Sequence, residues 1–217
     1  MSASAIELAL FPLDVVLFPG AALPLHIFES RYRHMIADCV REDKPFGVVL
    51  VRPESEHLHE LTYPIGTMAI ISDLNELEDG RYDLMAVGMM RFRIVSQHRL
   101  KPYLSGIVEF FEDDGEPENM LQAAMMQARS LFGSYLNLVI DASDELDVEK
   151  GLPDDPEALS HFIAYFLDVQ NEQKQRYLEL TSTYERLQEE IRILRREVPF
   201  MRQILSSKLP QDRARLN

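Results

Sequence analysis

The residues of this chain with the most chemistry in them are six histidines, one cysteine and two dense runs of acid. Among the histidines only His57 and His59 stand close together, as His-x-His in a glutamate-rich stretch. On a strand, positions i and i+2 share a face, so this pair has the geometry for two metal ligands. No third ligand follows at a readable spacing, and a solvated loop accounts for the same residues. The first acidic run is Glu109, Glu112, Asp113, Asp114, Glu116 and Glu118, around Gly115 and Pro117. The second is Asp141, Asp144, Glu145, Asp147 and Glu149, followed by Asp154, Asp155 and Glu157. Neither has the Asp-x-Asp-x-Asp-Gly loop that calcium coordination uses. Solvated loops and helix starts, where the macrodipole favours negative charge, explain them without a metal.

Covalent catalysis fares no better. Cys39 falls on the apolar face of a helical pattern, whereas a nucleophilic thiolate needs an electropositive, partly exposed setting. The chain has no Gly-x-x-x-x-Gly-Lys-Ser/Thr phosphate loop, no Gly-x-Ser-x-Gly elbow and no His-Glu-x-x-His zinc helix. No carboxylate pair stands out as an acid–base couple. The expectation is therefore no catalytic residue, no cofactor and no metal.

Charge narrows the partners. The 217 residues carry 22 Lys+Arg against 36 Asp+Glu, a formal net of −14. This disfavours nucleic acid and anionic membranes, which need clustered positive charge. The charge is uneven: residues 101–157 hold 3 basic and 14 acidic side chains, whereas residues 158–217 hold 10 basic and 8 acidic. Within that tail, Arg186 to Arg215 hold 8 basic and 4 acidic residues, a local exception that keeps an RNA-related role open. No apolar run approaches the ~20 residues of a membrane span, and Met1 to Leu10 has no basic n-region. The chain reads as a cytoplasmic globular protein, with a single cysteine that excludes a disulfide framework.

The elements follow from periodicity. Pro12, Pro19, Gly20 and Pro24 punctuate residues 6–28, leaving Val15 to Phe18 and Leu25 to Phe28 as short, edge-like strands. Tyr32, Met35, Ile36, Cys39 and Val40 then share one helix face, with Ser30 placed to cap it and Lys44-Pro45 to close it. Strands are expected at Phe46–Val51, Tyr63–Ser72, Tyr82–Val87, Arg91–Ser96 and Tyr103–Phe111, with a hairpin at Asp79-Gly80. Beyond Gly115 the pattern is helical. Leu121 to Val139 carries one stripe, Asp155-Pro156 opens the next helix, and Leu180 to Val198 forms an a/d seam ended or kinked at Pro199. That seam is under three heptads, so it suits packing inside a bundle, with a homodimer through the Leu180–Val198 helix as the alternative to a monomer. Strands first and helices afterwards define an α+β protein, with a β-rich subdomain at 1–113 and a helical subdomain at 114–217.

These pieces together resemble a known family. Leu10 to Gly20 reads LFPLDVVLFPG, followed by Leu23-Pro24-Leu25-His26-Ile27-Phe28-Glu29 and Arg31-Tyr32. Phe46 to Leu50, Ile65-Gly66-Thr67, Asp79 to Tyr82, Val87-Gly88, Arg91 to Ile94 and Pro102-Tyr103 follow in order. The set resembles the N-terminal substrate-binding domain of Lon proteases. The resemblance implies a PUA-like pseudobarrel followed by a C-terminal helical bundle. The chain carries neither the ATPase phosphate loop nor the peptidase serine motif, so the expectation is a stand-alone form of that domain. It implies a non-enzymatic module for unfolded or partner polypeptides, an adaptor or quality-control factor. A PUA-like RNA-associated protein is the alternative.

Most residues of the signature look like fold determinants. Glu29 precedes a helix start, where the dipole favours a carboxylate, and Arg91 could pair with it across the barrel, with Arg31 as a further ion-pair candidate; Glu29 is expected to accept a hydrogen bond from an arginine or a backbone N–H. Adjacent Met89 and Met90, and adjacent Phe110 and Phe111, should point to opposite faces of a strand. One of each pair is then free for adaptable apolar contact with a peptide.

Overall fold

The computed structural model describes residues 5–53, 61–139 and 151–208. His57, His59 and the acidic run Asp141 to Glu149 lie outside them. Six strands and five helices are present among the described residues: β1 (Ile6–Leu13), β2 (Ala22–Ile27), α1 (Ser30–Glu42), β3 (Phe46–Val51), β4 (Thr62–Glu76), β5 (Tyr82–His98) and β6 (Leu104–Phe110), then α2 (Glu118–Val139), α3 (Pro156–Phe166), α4 (Asn171–Glu179) and α5 (Thr183–Lys208). This is the α+β class read from the sequence. The chain divides into two compact units, one of residues 1–114 and 164–181, the other of 115–163 and 182–217. A single break at 113 misses the return of 164–181 to the β-rich unit.

In that unit the strand order is β2-β5-β4-β3-β1-β6, and a further β5–β6 pairing closes the last five strands into a barrel. β1 is parallel to β3 and antiparallel to β6, so it is an interior strand. Pro12 is tolerated because its pairing with β6 stops at Leu10 while that with β3 runs on to Leu13. Val15 to Phe18 is not a strand. Its apolar residues are largely buried in an irregular segment, and the strand lies upstream. The two expected strands at 82–87 and 91–96 are one 17-residue strand, β5.

The sheet carries a core on each face. Leu8 and Leu10 of β1 join Val49, Phe92, Leu104 and Val108 in the barrel interior. The alternate residue Phe11 joins Phe46, Val48, Ala69, Leu84 and Ala86 against Tyr32, Met35, Ile36 and Cys39 of α1. Successive side chains of a strand point to opposite faces, so a strand buried on both is apolar throughout. Phe92 is fully buried, and its ring occupies the space where Cβ atoms on Gly47 and Gly66 would lie, at 2.6 and 2.9 Å. Small residues on β3 and β4 thus admit one large side chain from β5. The β4–β5 hairpin turns at Gly80, whose φ of 76° suits glycine.

α1 begins one residue earlier than a Ser30 cap implies. Glu29 is the N-cap and makes no side-chain cap bond, and Val40 is exposed. In the second unit, α2 and α5 bury Ala128, Phe132, Leu187, Ile191 and Leu194. The a/d seam is consumed within the chain, and Leu180 belongs to the end of α4. Pro199 lies inside α5, which continues to Lys208.

Phe92→Ala leaves two glycines facing an empty barrel centre. It is expected to cost about 3–5 kcal/mol, read as a lower urea midpoint by circular dichroism.

Candidate polypeptide-binding surface

Arg91 lies on β5 opposite Thr67 of β4 and is 2% exposed. Its guanidinium donates to the Leu178 carbonyl at 3.1 Å and the Leu180 carbonyl at 2.6 Å, and also to the Asp113 carboxylate. It stacks over the Phe111 ring at 4.6 Å. The two carbonyls close α4, where unpaired acceptors and the negative dipole end favour a cation. Glu29 is not its partner. Ile27 pairs with Tyr82, which puts Glu29 about 30 Å from Arg91 along an extended strand. Arg31 donates to Glu29 instead, at 2.9 and 3.0 Å, in an exposed pair.

Three carboxylates of the acidic run take partners after β6. Asp113 meets Arg91, Asp114 accepts the Thr181 hydroxyl at 2.7 Å, and Glu116 accepts the Ser182 hydroxyl and the Tyr184 amide at 2.6 and 2.9 Å. Asp155 caps α3 through the Ala158 amide at 2.8 Å. Among the described residues no group of three His, Cys, Asp or Glu is arranged to hold a metal. Arg186, the first residue of the basic tail segment, is fully buried. It donates to Ser160 at 2.5 Å and to Thr183 at 3.2 Å, so its charge is spent inside the unit. Nearby Glu190 is fully buried, and loss of solvent pushes its pKa well above the usual carboxylate range.

A cleft of about 300 Å³ opens beside α1, lined by Asp38, Cys39, Lys101, Tyr103 and Ser105. Its polar groups bind one another. Tyr103 donates to Asp38 at 2.7 Å, and Lys101 to the same oxygen at 3.2 Å. The Tyr103 hydrogen bond above all, then those of Lys101 and Arg41, hold Asp38 down to about 2 from the ordinary 3.8. Burial pushes the Cys39 thiol up to about 11, so the thiolate is scarce at neutral pH.

The exposed apolar side chains are elsewhere. Met89 and Met90 are 44% and 47% exposed. Strict alternation would expose only one, but β5 bulges here. Thr67 pairs with Arg91 and Ala69 with Gly88, so two methionines stand opposite the single residue Met68. Phe110 packs partly against the barrel interior, and Phe111 takes the Arg91 and Arg93 guanidinium groups on its ring. The sequence contains no marker of the bulge; only the pairing register reveals it.

Residues 7–196 match the family described as the ATP-dependent protease La (LON) substrate-binding domain, and the chain belongs to that family. A Lon protease 2 of Myxococcus xanthus is 32% identical over 209 residues, covering 93% of this chain and 25% of that protein. The Lon protease of Escherichia coli strain K12 is 25% identical over 200 residues, again covering 25% of its length. The chain therefore spans about a quarter of these curated relatives. A Lon N-terminal domain protein from Xanthomonas campestris superposes with a TM-score of 0.63 at 26% identity, covering 85% of this chain and 96% of that one. The N-terminal domain of the Mycobacterium avium complex Lon protease shares the fold, with a TM-score of 0.69 at 19% identity and coverage of 87% and 98%. Among the described residues no helix is long and apolar enough to cross a membrane.

Two outcomes follow. Arg91→Ala leaves Asp113 and two carbonyls buried without their cation. It is expected to cost about 3–5 kcal/mol and to speed amide exchange across 171–181, with Arg91→Lys restoring only part. Asp38 has a folded pKa below its ordinary value, so its contribution is complete above about pH 4 and lost as pH falls toward 2. Asp38→Asn should flatten that part of the acid-unfolding curve.

Proposed function

We propose that this chain is a cytoplasmic polypeptide-binding module that does no chemistry of its own. It holds unfolded or partner polypeptides, in the manner of an adaptor or quality-control factor. The observation that carries this is the β5 bulge, which presents Met89 and Met90 together on the surface. Unbranched, polarizable side chains adapt to many client shapes, as a surface for varied unfolded segments requires. Membership of a family defined by substrate binding supports the same reading. The relatives are named proteases, and a client held here suits delivery to an enzyme of that kind.

The test is fluorescence anisotropy of a labelled, carboxymethylated and permanently unfolded protein, without nucleotide. Saturable binding is expected, and Met89→Ser with Met90→Ser should weaken it by about tenfold, roughly the worth of two partly buried apolar side chains. The thermal midpoint of that variant should stay nearly unchanged, because neither side chain is in a core. Absent binding, or binding indifferent to both substitutions, overturns the proposal.

A further inference from the structure

Between the hairpin and the bulge, β5 is flanked by β2 on one side and β4 on the other. One face of this three-stranded arm packs on α1 through Leu84, Ala86 and Ala69. On the opposite face the register lays the side chains out in rows. Val87 stands between Ala22 and Ile70, Met85 between Pro24 and Asp73, and Asp83 between His26 and Asn75. Met89 continues the column beyond Val87. Ala22, Pro24, His26, Ile70, Asp73, Asn75, Asp83 and Met89 are all exposed.

The chemistry changes along the column. At the bulge end it is apolar, with Met89, Val87 and Ile70. At the hairpin end a cleft of about 450 Å³ is lined by Asp73, Asn75, Asp83 and His26 over the outward-facing Pro24 and Met85. Asp83 contacts the His26 ring at 2.6 Å, and its side chain remains 52% exposed. Glu76, Glu78 and Asp79 add acid at the hairpin. The guanidinium groups there are engaged, Arg81 by the Asp79 carboxylate at 2.7 Å and Arg33 by the Asp79 carbonyl at 3.2 Å. A cleft with apolar floor and acidic rim is complementary to Lys or Arg, whose aliphatic stem lies on apolar surface while the charge stays at the rim.

We propose that this face binds an extended client segment whose apolar stretch rests on Met89, Val87 and Ile70 and whose Lys or Arg lies between Asp83 and Asp73. The distance from Met89 to Asp83 is about 20 Å, so the apolar and basic residues of the client are separated by about six residues. The inference rests on the polypeptide-binding reading and adds a client class to it.

Three labelled synthetic peptides of one apolar sequence, ending in Lys-Arg, in Ser-Ser or in Asp-Glu, decide the matter by anisotropy. The basic peptide should bind about fivefold tighter than the neutral one at low salt, the worth of one or two exposed ion pairs, and the acidic peptide should bind weakest. The basic preference should vanish in Asp73→Asn with Asp83→Asn, and in high salt, while the neutral peptide binds as before. Equal binding of basic and neutral peptides, or a preference that survives the double substitution, overturns this inference and leaves the polypeptide-binding reading standing. Binding of no peptide at all overturns both. Concentration-dependent dimerisation in sedimentation, abolished by Ile70→Ser, would make a second copy the occupant and also overturn it.

Discussion

A guanidinium deprived of water has to be given partners, and the β-rich unit is organised around doing so for Arg91. The cost of burying that charge is offset only if every donor is used and a countercharge is near. Asp113 supplies the charge and the last carbonyls of α4 supply the acceptors. These groups come from the segment after β6 and from a stretch about seventy residues further on. The same contact therefore draws residues 164–181 back to the barrel unit. Asp114 repeats the tie through Thr181, so the return segment is held by hydrogen bonds as well as by apolar burial.

Once that segment is fixed, the sheet has different cover along its length. The barrel interior is filled by Phe92 and its neighbours, and the other face is filled by α1. The arm extends past the closed part and keeps only the second of these cores. Strand β5 serves both regions, and its bulges bend it from one pairing to the next. Exposure of apolar side chains on this arm is thus a geometric result of one long strand leaving a closed barrel.

The class of fold was legible because strand and helix periods separate cleanly along the chain. Phe46–Val51 and the Asp155-Pro156 helix start could be read directly, since continuous burial and a capped proline leave strong local signals. Val15 to Phe18 was misleading for a physical reason. Its apolar residues are buried by tertiary packing without a ladder, and composition does not distinguish the two. Glu29 and Arg91 attract attention as a charge pair by type, but pairing depends on register, which sets them far apart along β5. The exposed face was illegible for the same reason, because its rows come from three strands separated in sequence.

The bulge at Met89 and Met90 also separates two constraints that usually coincide. The register on either side of the bulge is set by the pairs Ala69–Gly88 and Thr67–Arg91. A β5 with one residue fewer between Gly88 and Arg91 would satisfy those same pairs with an unbroken ladder. The additional residue is therefore surplus to the interior. In such a chain, deletion of a single codon at this point alters the outward reach of the strand while the packing behind it stays in register.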